Sequence, residues 1–410
     1  MTEFLIPRRQ FLLAGSAGIL TLAAARPRLG FAAEDTFRIG ALNPVTGAGS
    51  TYGPGMQKAI LFAAEEVNAA GGAAGRKLEV FAEDTQTTPD AAVTAVKKLI
   101  EVNKVQIVMG TWSSGVTLAV MPITTEAGIP EMNTSGAPAI STEDKKDLVW
   151  RFQATNIRFG KAFAEIAEKR GYKRPATMAF NNASGIGNTE GFKNAWEAKG
   201  GKVVSEVVYE PKRPSYRSEL QKVLSANPDV IVMGSYLPDT TIILREWYQS
   251  GQNCDWIIPG WAANTRLVKA LGAEVTKGII SVDSVSNEKA PSYARFAEKY
   301  KAATGNDASS NLYAAMTYDM AIVWALAMQA AGPGASVSDI NAKIRDVGNP
   351  KGKQVFSFEE GKAALKQGPI DYQGASSRLD FDEYGDVTPD FGESVIQPDG
   401  SFKRVAVVKI

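Results

Sequence analysis

Hydroxyl-bearing residues, glycines and aromatic residues follow five short apolar runs of the chain. These segments are Asn43–Gly53, Gly110–Gly115, Asn133–Gly136, Gly234–Asp239 and Gly260–Asn264. Hydroxyl groups, together with free backbone N–H groups at the start of a helix, are suited to holding a small carboxylate. Tyrosine and tryptophan rings add flat apolar walls. Because no nucleophile and base lie together in these segments, their composition predicts binding of a small acid and not bond chemistry.

The same residues also admit an ordinary structural interpretation. Ser113 and Ser114 could simply cap the following helix. Trp112, Tyr236 and Trp261 are large rings of the kind that fill protein cores. Ligands of open parallel sheets bind beyond the carboxyl ends of the strands, and all five segments are predicted to lie at such ends. Their shared location favours the binding interpretation.

The chain has few residues of the types that support catalysis or hold a cofactor. The chain of 410 residues contains no histidine and one cysteine, Cys254. This composition excludes Ser-His-Asp and Cys-His catalysis, the usual zinc sites, haem held by histidine and an internal disulfide. Gly47, Gly49 and Gly53 come close to a dinucleotide fingerprint, but their spacing is one residue too long and Pro44 interrupts the turn. We therefore expect no cofactor, no metal and no catalytic residue.

The N-terminal residues 1–32 are predicted to form an export signal. Arg8 and Arg9 precede an apolar run over residues 11–25, and small residues lie near Ala32. The string Pro7–Leu13 resembles a twin-arginine signal, which exports folded proteins. An amphipathic membrane anchor is the alternative, but the segment lacks a polar helical face. We expect the mature chain in the periplasm.

Charge is balanced in the chain as a whole. There are 45 lysine and arginine residues against 44 aspartate and glutamate residues. Cleavage after Ala32 leaves 41 basic and 43 acidic residues, a net charge of −2. This balance argues against a nucleic-acid partner, which usually requires a basic surface.

Apolar strands alternate with amphipathic helices along the mature chain, which predicts an α/β fold with parallel sheets. Strands are predicted at Phe37–Leu42, Lys77–Phe81, Val105–Met109, Thr177–Phe180, Lys202–Tyr209, Asp229–Met233 and Gly278–Val282, and a hairpin at Glu393–Gln397 and Lys403–Lys409. Helices are predicted at Met56–Ala70, from Pro89, and at Phe159–Arg170, Gly191–Lys199, Tyr216–Ala226, Pro291–Thr304 and Ser310–Ala331. The last of these helices is apolar on most sides, so it is expected in the interior.

The chain resembles the branched-chain amino-acid-binding proteins of ABC importers, which have the type I periplasmic binding protein fold. The resemblance rests on Ile39-Gly40, Pro44–Gly47, Tyr52-Gly53, Glu65–Asn68, Gly71-Gly72, Gly110, Ser114, Met121-Pro122, Gly128–Pro130, Trp150–Phe152 and Phe381–Asp386. It implies two Rossmann-like lobes, with parallel sheets flanked by helices, three hinge crossovers near residues 152–154, 282–286 and 370–390, and a ligand cleft between the lobes. On this basis lobe 1 is expected at residues 35–152 plus 285–370, and lobe 2 at 153–284 plus 371–410.

The resemblance also implies a role. Such proteins close on a small molecule and deliver it to the membrane permease of an ABC importer, and this chain is expected to do so as a monomer. The expected ligand-binding residues are Tyr52, Trp112, Ser113, Ser114, Thr134, Ser135, Gly136, Tyr236 and Trp261. An exported enzyme and a ligand sensor are the other readings; the missing histidine argues against the first, and the lack of spare length for a signalling domain against the second.

One departure from the family bears on the ligand. The amino-acid binders carry a carboxylate after the strand near Ile258, where it pairs with the ammonium group, and this chain has Trp261 there. A buried ammonium without that partner would be costly. The ligand is therefore expected to be either a branched-chain or hydrophobic amino acid, with Asp239 or Asp283 as the substitute acid, or a carboxylic acid or amide without an amino group, plausibly aromatic.

Overall fold

The first sheet of the molecule contains five parallel strands. The computed structural model describes residues 36–410, and the predicted export signal lies outside them. The sheet order is β2-β1-β3-β4-β5. The strands are β1 (Thr36–Asn43), β2 (Lys77–Asp84), β3 (Ile107–Thr111), β4 (Glu131–Asn133) and β5 (Val149–Arg151). β3 is buried along its whole length because helices cover both faces of a parallel sheet.

Four helices connect the strands of the first sheet. They are α1 (Gly53–Ala69), α2 (Pro89–Glu101), α3 (Ser114–Glu126) and α4 (Pro138–Glu143), and a short 3-10 helix at Gly47–Gly49 precedes α1. Proline stands in the first turn of α1, α2 and α4, where a missing N–H costs nothing.

The second sheet contains seven strands, five of them parallel. The parallel strands are β6 (Pro175–Phe180), β7 (Glu206–Tyr209), β8 (Val230–Gly234), β9 (Asp255–Pro259) and β10 (Ile280–Ser284). α5 (Asn156–Lys169) precedes β6, and the helices between the parallel strands are α6 (Ala183–Ala198), α7 (Arg217–Leu224), α8 (Leu237–Ser250), α9 (Thr265–Leu271) and α10 (Ala273–Thr276).

The remaining helices all lie within residues 291–364. They are α11 (Pro291–Thr304), a 3-10 helix at Ala308–Ser310, α12 (Leu312–Ala331), α13 (Val337–Asn341), α14 (Ile344–Gly348) and α15 (Phe358–Ala364). Two short parallel strands, β11 (Lys353–Val355) and β12 (Ile370–Tyr372), flank α15. α11 and α12 pack against α1, and α12 is buried over most of its length, as its apolar sequence predicted.

The chain ends in an antiparallel hairpin. β13 (Phe391–Ile396) pairs with β10, and β14 (Phe402–Val408) pairs with β13, so the second sheet has the order β14-β13-β10-β9-β8-β6-β7. The hairpin was predicted from the alternating sequence, and its addition makes the second sheet mixed. The chain leaves the first sheet after β5, returns toward α1 after β10 and rejoins the second sheet after β12. The predicted fold class, two Rossmann-like lobes joined by three crossovers, is confirmed.

Two differences from the predicted elements lie in the second sheet: α8 was not predicted, and α6 starts earlier than predicted. The sequence predicts a helix from Gly191, but α6 begins at Ala183, where the Asn182 side chain accepts a hydrogen bond from the Gly185 N–H and caps the helix. Glycines in the first turns concealed the helical pattern. They serve close packing: a Cβ on Gly185 would lie 2.5 Å from the carbonyl oxygen of Phe180.

Candidate functional site

A narrow cavity of about 20 Å³ lies between the two sheets, at the carboxyl ends of strands of both. Its lining consists of hydroxyl, amide and aromatic side chains with one glycine: Trp112, Ser113, Ser114, Thr134, Ser135, Gly136, Gln153, Asn156, Phe159, Ser184, Tyr236, Trp261 and Tyr313. Eight of the nine residues predicted from the sequence are among them.

Tyr52 is the one predicted site residue that does not line the cavity. Its ring centroid lies 5.0 Å from that of Tyr313 and 6.1 Å from that of Trp112, both of which line the cavity. Its phenol oxygen accepts a hydrogen bond of 2.9 Å from the Asn264 amide. Tyr52 therefore packs behind the Trp112 and Tyr313 rings, on the side away from the cavity.

Five lining residues were not predicted from the sequence: Gln153, Asn156, Phe159, Ser184 and Tyr313. A usable signal existed for two of them, because Gln153 follows β5 and Ser184 follows β6 at strand carboxyl ends, like the predicted segments. Phe159 and Tyr313 lie on helices α5 and α12, where only the tertiary packing brings them to the cavity.

Ser113 and Ser114 do not act as side-chain caps of α3. Ser113 is the N-cap residue, but its side chain makes no capping hydrogen bond. Its backbone has φ 79°, a conformation that residues other than glycine rarely adopt and that concentrates at functional sites. The Ser114 hydroxyl oxygen accepts a hydrogen bond from the Ala137 N–H at 3.1 Å, which leaves its proton available to a ligand.

The segment Thr134–Gly136 offers fewer backbone donors than its sequence suggests. The Thr134 N–H donates to the carbonyl of Thr111 and the Ser135 N–H donates to the Asn133 side chain, both at 3.0 Å. Among residues 36–410, only the Gly136 N–H of this segment has no acceptor. A Cβ at Gly136 would lie 1.9 Å from the Asn156 side-chain oxygen, so glycine is required there.

A buried arginine holds this segment in place. The Arg151 guanidinium donates to the carbonyl oxygens of Ser135 and Ala137 at 3.1 Å and to the Ser141 hydroxyl at 2.7 Å. It also forms an ion pair of 2.8 Å with Asp386. Burial lowers the pKa of Arg151, whereas the neighbouring carboxylate of Asp386 raises it. These bonds hold the carbonyl groups of Ser135 and Ala137 toward Arg151, and this fixes the backbone conformation of Thr134–Gly136.

The electrostatic character of the cavity comes from helix ends. Four helices begin at it: α3 at Ser114, α5 at Asn156, α6 beside Ser184, and α8 directly after Tyr236. Helix N-termini carry a partial positive charge and free N–H groups, and each favours an anion by about 0.3–1 kcal/mol. None of the described lining residues has a charged side chain. The cavity therefore attracts an anion without using lysine or arginine.

The two acids considered as substitutes for the family's carboxylate occupy different environments. Asp239 accepts hydrogen bonds from the Tyr216 hydroxyl at 2.7 Å and the Lys212 N–H at 3.1 Å and does not line the cavity. Asp283 lies on β10 against Gly260 and accepts from the Ser284 N–H at 3.0 Å. Burial raises the pKa of Asp283 to about 8. Asp283 is therefore next to the cavity wall but not part of it.

Direct contacts close the cleft between residues of the two sheets. The Tyr236 phenol donates a hydrogen bond of 3.0 Å to the Ser113 hydroxyl, and the ring centroids of Tyr236 and Trp112 are 5.0 Å apart. Outside the cavity lining, Arg266 donates to the Thr51 hydroxyl at 3.0 Å. The structure thus describes a closed arrangement in which a small molecule would touch both sides.

The described residues were searched for a membrane-spanning helix and for a metal site. No helix in residues 36–410 is both long and apolar enough to cross a membrane. Within the same range, no group of three or more acidic, cysteine or histidine side chains could hold a metal ion.

Two α/β lobes enclosing a small cleft define a class of solute-binding protein, and the sequence comparison agrees. The chain belongs to the periplasmic binding protein family, whose model matches residues 36–368. The leucine-, isoleucine-, valine-, threonine- and alanine-binding protein of Pseudomonas aeruginosa is 25% identical over 323 residues, which are 78% of this chain and 86% of that protein. The family resemblance seen in the sequence is thereby confirmed.

Solved structures share the fold. A leucine-binding protein from Thermotoga maritima superposes with a TM-score of 0.78 at 24% identity, over 91% of this chain and 99% of its own. A solute-binding protein of an ABC transporter from Rhodopseudomonas palustris, solved with 3,4-dihydroxybenzoic acid, gives a TM-score of 0.70 at 23% identity, over 92% of this chain and 98% of its own.

Proposed function

We propose that this chain is the solute-binding protein of an ABC importer and that it captures a small carboxylate lacking an ammonium group, with an aromatic ring. The observation that carries the proposal is the convergence of four helix N-termini on a cavity whose described lining has no charged side chain. This arrangement stabilises a carboxylate and offers no partner to an ammonium group.

The carboxylate is assigned to the side of the cavity formed by Ser114 and Gly136. The Ser114 hydroxyl proton and the Gly136 N–H have no acceptor among the described residues. Both are therefore free to donate to a ligand. Hydrogen bonds to an ionised acceptor are roughly twice as strong as neutral ones. The segment is held by Arg151, so the donors need not reorganise on binding.

The ring is assigned to the aromatic walls. Trp112, Tyr236 and Tyr313 form one wall, with the centroids of Trp112 and Tyr313 at 5.9 Å and edge-to-face. The rings of Phe159 and Trp261 also pack edge-to-face, with their centroids 5.0 Å apart. Flat surfaces of this kind suit a planar ligand. The bound dihydroxybenzoic acid of the Rhodopseudomonas palustris protein supports the same ligand class.

Capture follows from closure. Ligand binding favours the closed arrangement only through contacts that the open one lacks. Ser114 and Gly136 belong to one side of the cleft, and Tyr236 and Trp261 to the other, so one ligand can contact both. The closed protein would then deliver the ligand to the membrane permease. We assign lobe 1 to residues 35–152 plus 285–370 and lobe 2 to residues 153–284 plus 371–410. The crossovers after β5 and β10 support the first two bounds, whereas Ser376 and Asp386 still bond to Asp319 and Arg151 of lobe 1, which favours a last crossing closer to β13.

Ligand binding can be tested by thermal denaturation and calorimetry of the mature chain with benzoate, 4-hydroxybenzoate, benzamide and L-leucine. A ligand at 100 times its Kd adds about 2.7 kcal/mol of stability, which is readily seen. We expect the two benzoates to bind and the neutral benzamide and the zwitterionic leucine not to bind. Equal binding of benzamide would refute the anion site. Before the measurement, the protein is unfolded and refolded to release any ligand that copurifies.

A branched-chain amino acid is the second candidate, and Asp283 is the observation that favours it. The relative from Pseudomonas aeruginosa is named for binding such amino acids. Asp283 lies beside Gly260 and acts electrostatically on Tyr313, a lining residue. Binding of leucine but not benzoate, lost in Asp283→Asn, would select this candidate.

Export by the twin-arginine route is proposed from Arg8 and Arg9 alone. The variant Arg8→Lys/Arg9→Lys should accumulate in the cytoplasm while the parent chain is recovered from the periplasm. Periplasmic recovery of both proteins would contradict this route.

A further inference from the structure

A chain of buried hydroxyl groups runs from the cavity to a buried carboxyl group. Ser135 lines the cavity, and its hydroxyl lies 2.8 Å from that of Thr117. Thr117 donates to the Thr111 hydroxyl at 3.0 Å, and Thr111 donates to Glu131 at 2.8 Å. All four side chains are almost fully buried. We call these four residues the hydroxyl relay.

The direction of the protons in the relay depends on the state of Glu131. Each hydroxyl has one proton to donate. With Glu131 ionised, Thr111 must donate to it and Thr117 to Thr111, so Ser135 donates to Thr117 and turns only lone pairs toward the cavity. With Glu131 protonated, the carboxyl can donate to Thr111 and the whole chain reverses. Ser135 then has a proton for the ligand.

We propose that Glu131 is a positioning residue that sets, through Thr111 and Thr117, whether Ser135 donates to or repels a ligand carboxylate. This inference rests on the proposed function, because it requires a carboxylate beside Ser135. Binding of the carboxylate favours the protonated relay, so it is linked to a proton held on Glu131. No proton is transferred to the ligand; the hydroxyl groups only rotate.

The surroundings of Glu131 support the protonated state. Burial raises its pKa to about 8, against the lowering effect of the hydrogen bonds from Thr111 and Thr124, and Asp144 raises it further. The neighbouring elements also carry Lys146, which donates to the Thr125 carbonyl, and Arg151, which is paired with Asp386. Neither cation makes an ion pair with Glu131 among the described residues. The Thr124 hydroxyl lies 3.2 Å from the second carboxyl oxygen and 3.0 Å from the Met121 carbonyl oxygen, so it can donate to either.

The test is the Kd of benzoate, measured by calorimetry from pH 6 to pH 9. If binding requires protonated Glu131, the apparent Kd at pH 9 should be about tenfold weaker than at pH 7. In the isosteric variant Glu131→Gln, the Kd should change less than twofold between pH 6 and pH 9. Its amide N–H can donate to Thr111 at every pH in this range. Thr117→Val interrupts the relay but keeps the charge of Glu131, and it should also lose the pH dependence.

Asp283 titrates in the same pH range and provides the matched control. Asp283→Asn should keep the tenfold change if the relay is its source. A pH dependence that persists in Glu131→Gln or in Thr117→Val overturns the proposal, and so does a flat profile in the parent protein. Absence of benzoate binding at every pH refutes the proposed ligand class, a result distinct from a flat profile with normal affinity.

Discussion

The phenol of Tyr236 donates a hydrogen bond of 3.0 Å to the hydroxyl of Ser113, and the two residues stand at the starts of helices from opposite sheets. Each residue also lines the cavity. Because the two residues lie on opposite sides of the cleft, opening of the cleft would separate them, so the bond links closure to the geometry of the site.

Tyr236→Phe should weaken ligand binding by about two- to tenfold, which corresponds to the roughly 0.5–1.5 kcal/mol of one hydrogen bond. The ring wall is kept, so the loss reports on closure. Calorimetric Kd values for benzoate measure it, with Tyr248→Phe, a half-exposed position on the same helix, as the control. An equal loss in both variants would contradict a specific role of the bond.

Gly136→Ala should reduce affinity strongly, by about 1–3 kcal/mol, because the new methyl group collides with the Asn156 side chain and displaces the free N–H. Gly115→Ala is the matched control, since its Cβ would meet nothing closer than 4.0 Å. Melting temperatures of both variants separate a local effect on binding from loss of the fold. Unchanged affinity in Gly136→Ala would remove this N–H from the site.

Arg151→Met should destabilise the protein by about 3–5 kcal/mol, because Asp386 is left as a buried charge without a partner. The double variant with Asp386→Asn should recover part of this loss. Lys301→Met breaks an exposed pair with Asp307 and should cost less than about 1 kcal/mol. Urea denaturation provides the comparison, and similar losses for Arg151→Met and Lys301→Met would contradict the assignment.

Stability should fall as pH rises from 5 to 8 because of Glu131 and Asp283. Their pKa values, raised by burial to about 8, mean that the native protein keeps protons that the unfolded chain has already released. Stability decreases with pH wherever the native state binds more protons. The variant Glu131→Gln/Asp283→Asn should therefore gain melting temperature relative to the parent as pH rises. A constant difference between pH 5 and pH 8 would show that the two groups titrate normally.

Much of the architecture could be predicted from the sequence because strands such as β3 and β8 are short, apolar and regularly followed by helices. The rule that ligands lie beyond strand ends located Ser114 and Thr134. The same rule also holds for the segments after β5 and β6, which place Gln153 and Ser184 in the cavity lining. Tyr313 could not have been found in this way, because an apolar helix such as α12 gives no sign of which residue faces a cavity.

The partial positive charge at the cavity arises from the main chain at the starts of α3, α5, α6 and α8. No single substitution can abolish a field that no side chain supplies. Mutations at Trp112, Phe159 or Trp261 can thus reshape the walls while the preference for an anion is inherited intact. Such a scaffold separates the recognition of charge from the recognition of shape, and new ligand specificities should be reachable through the walls alone.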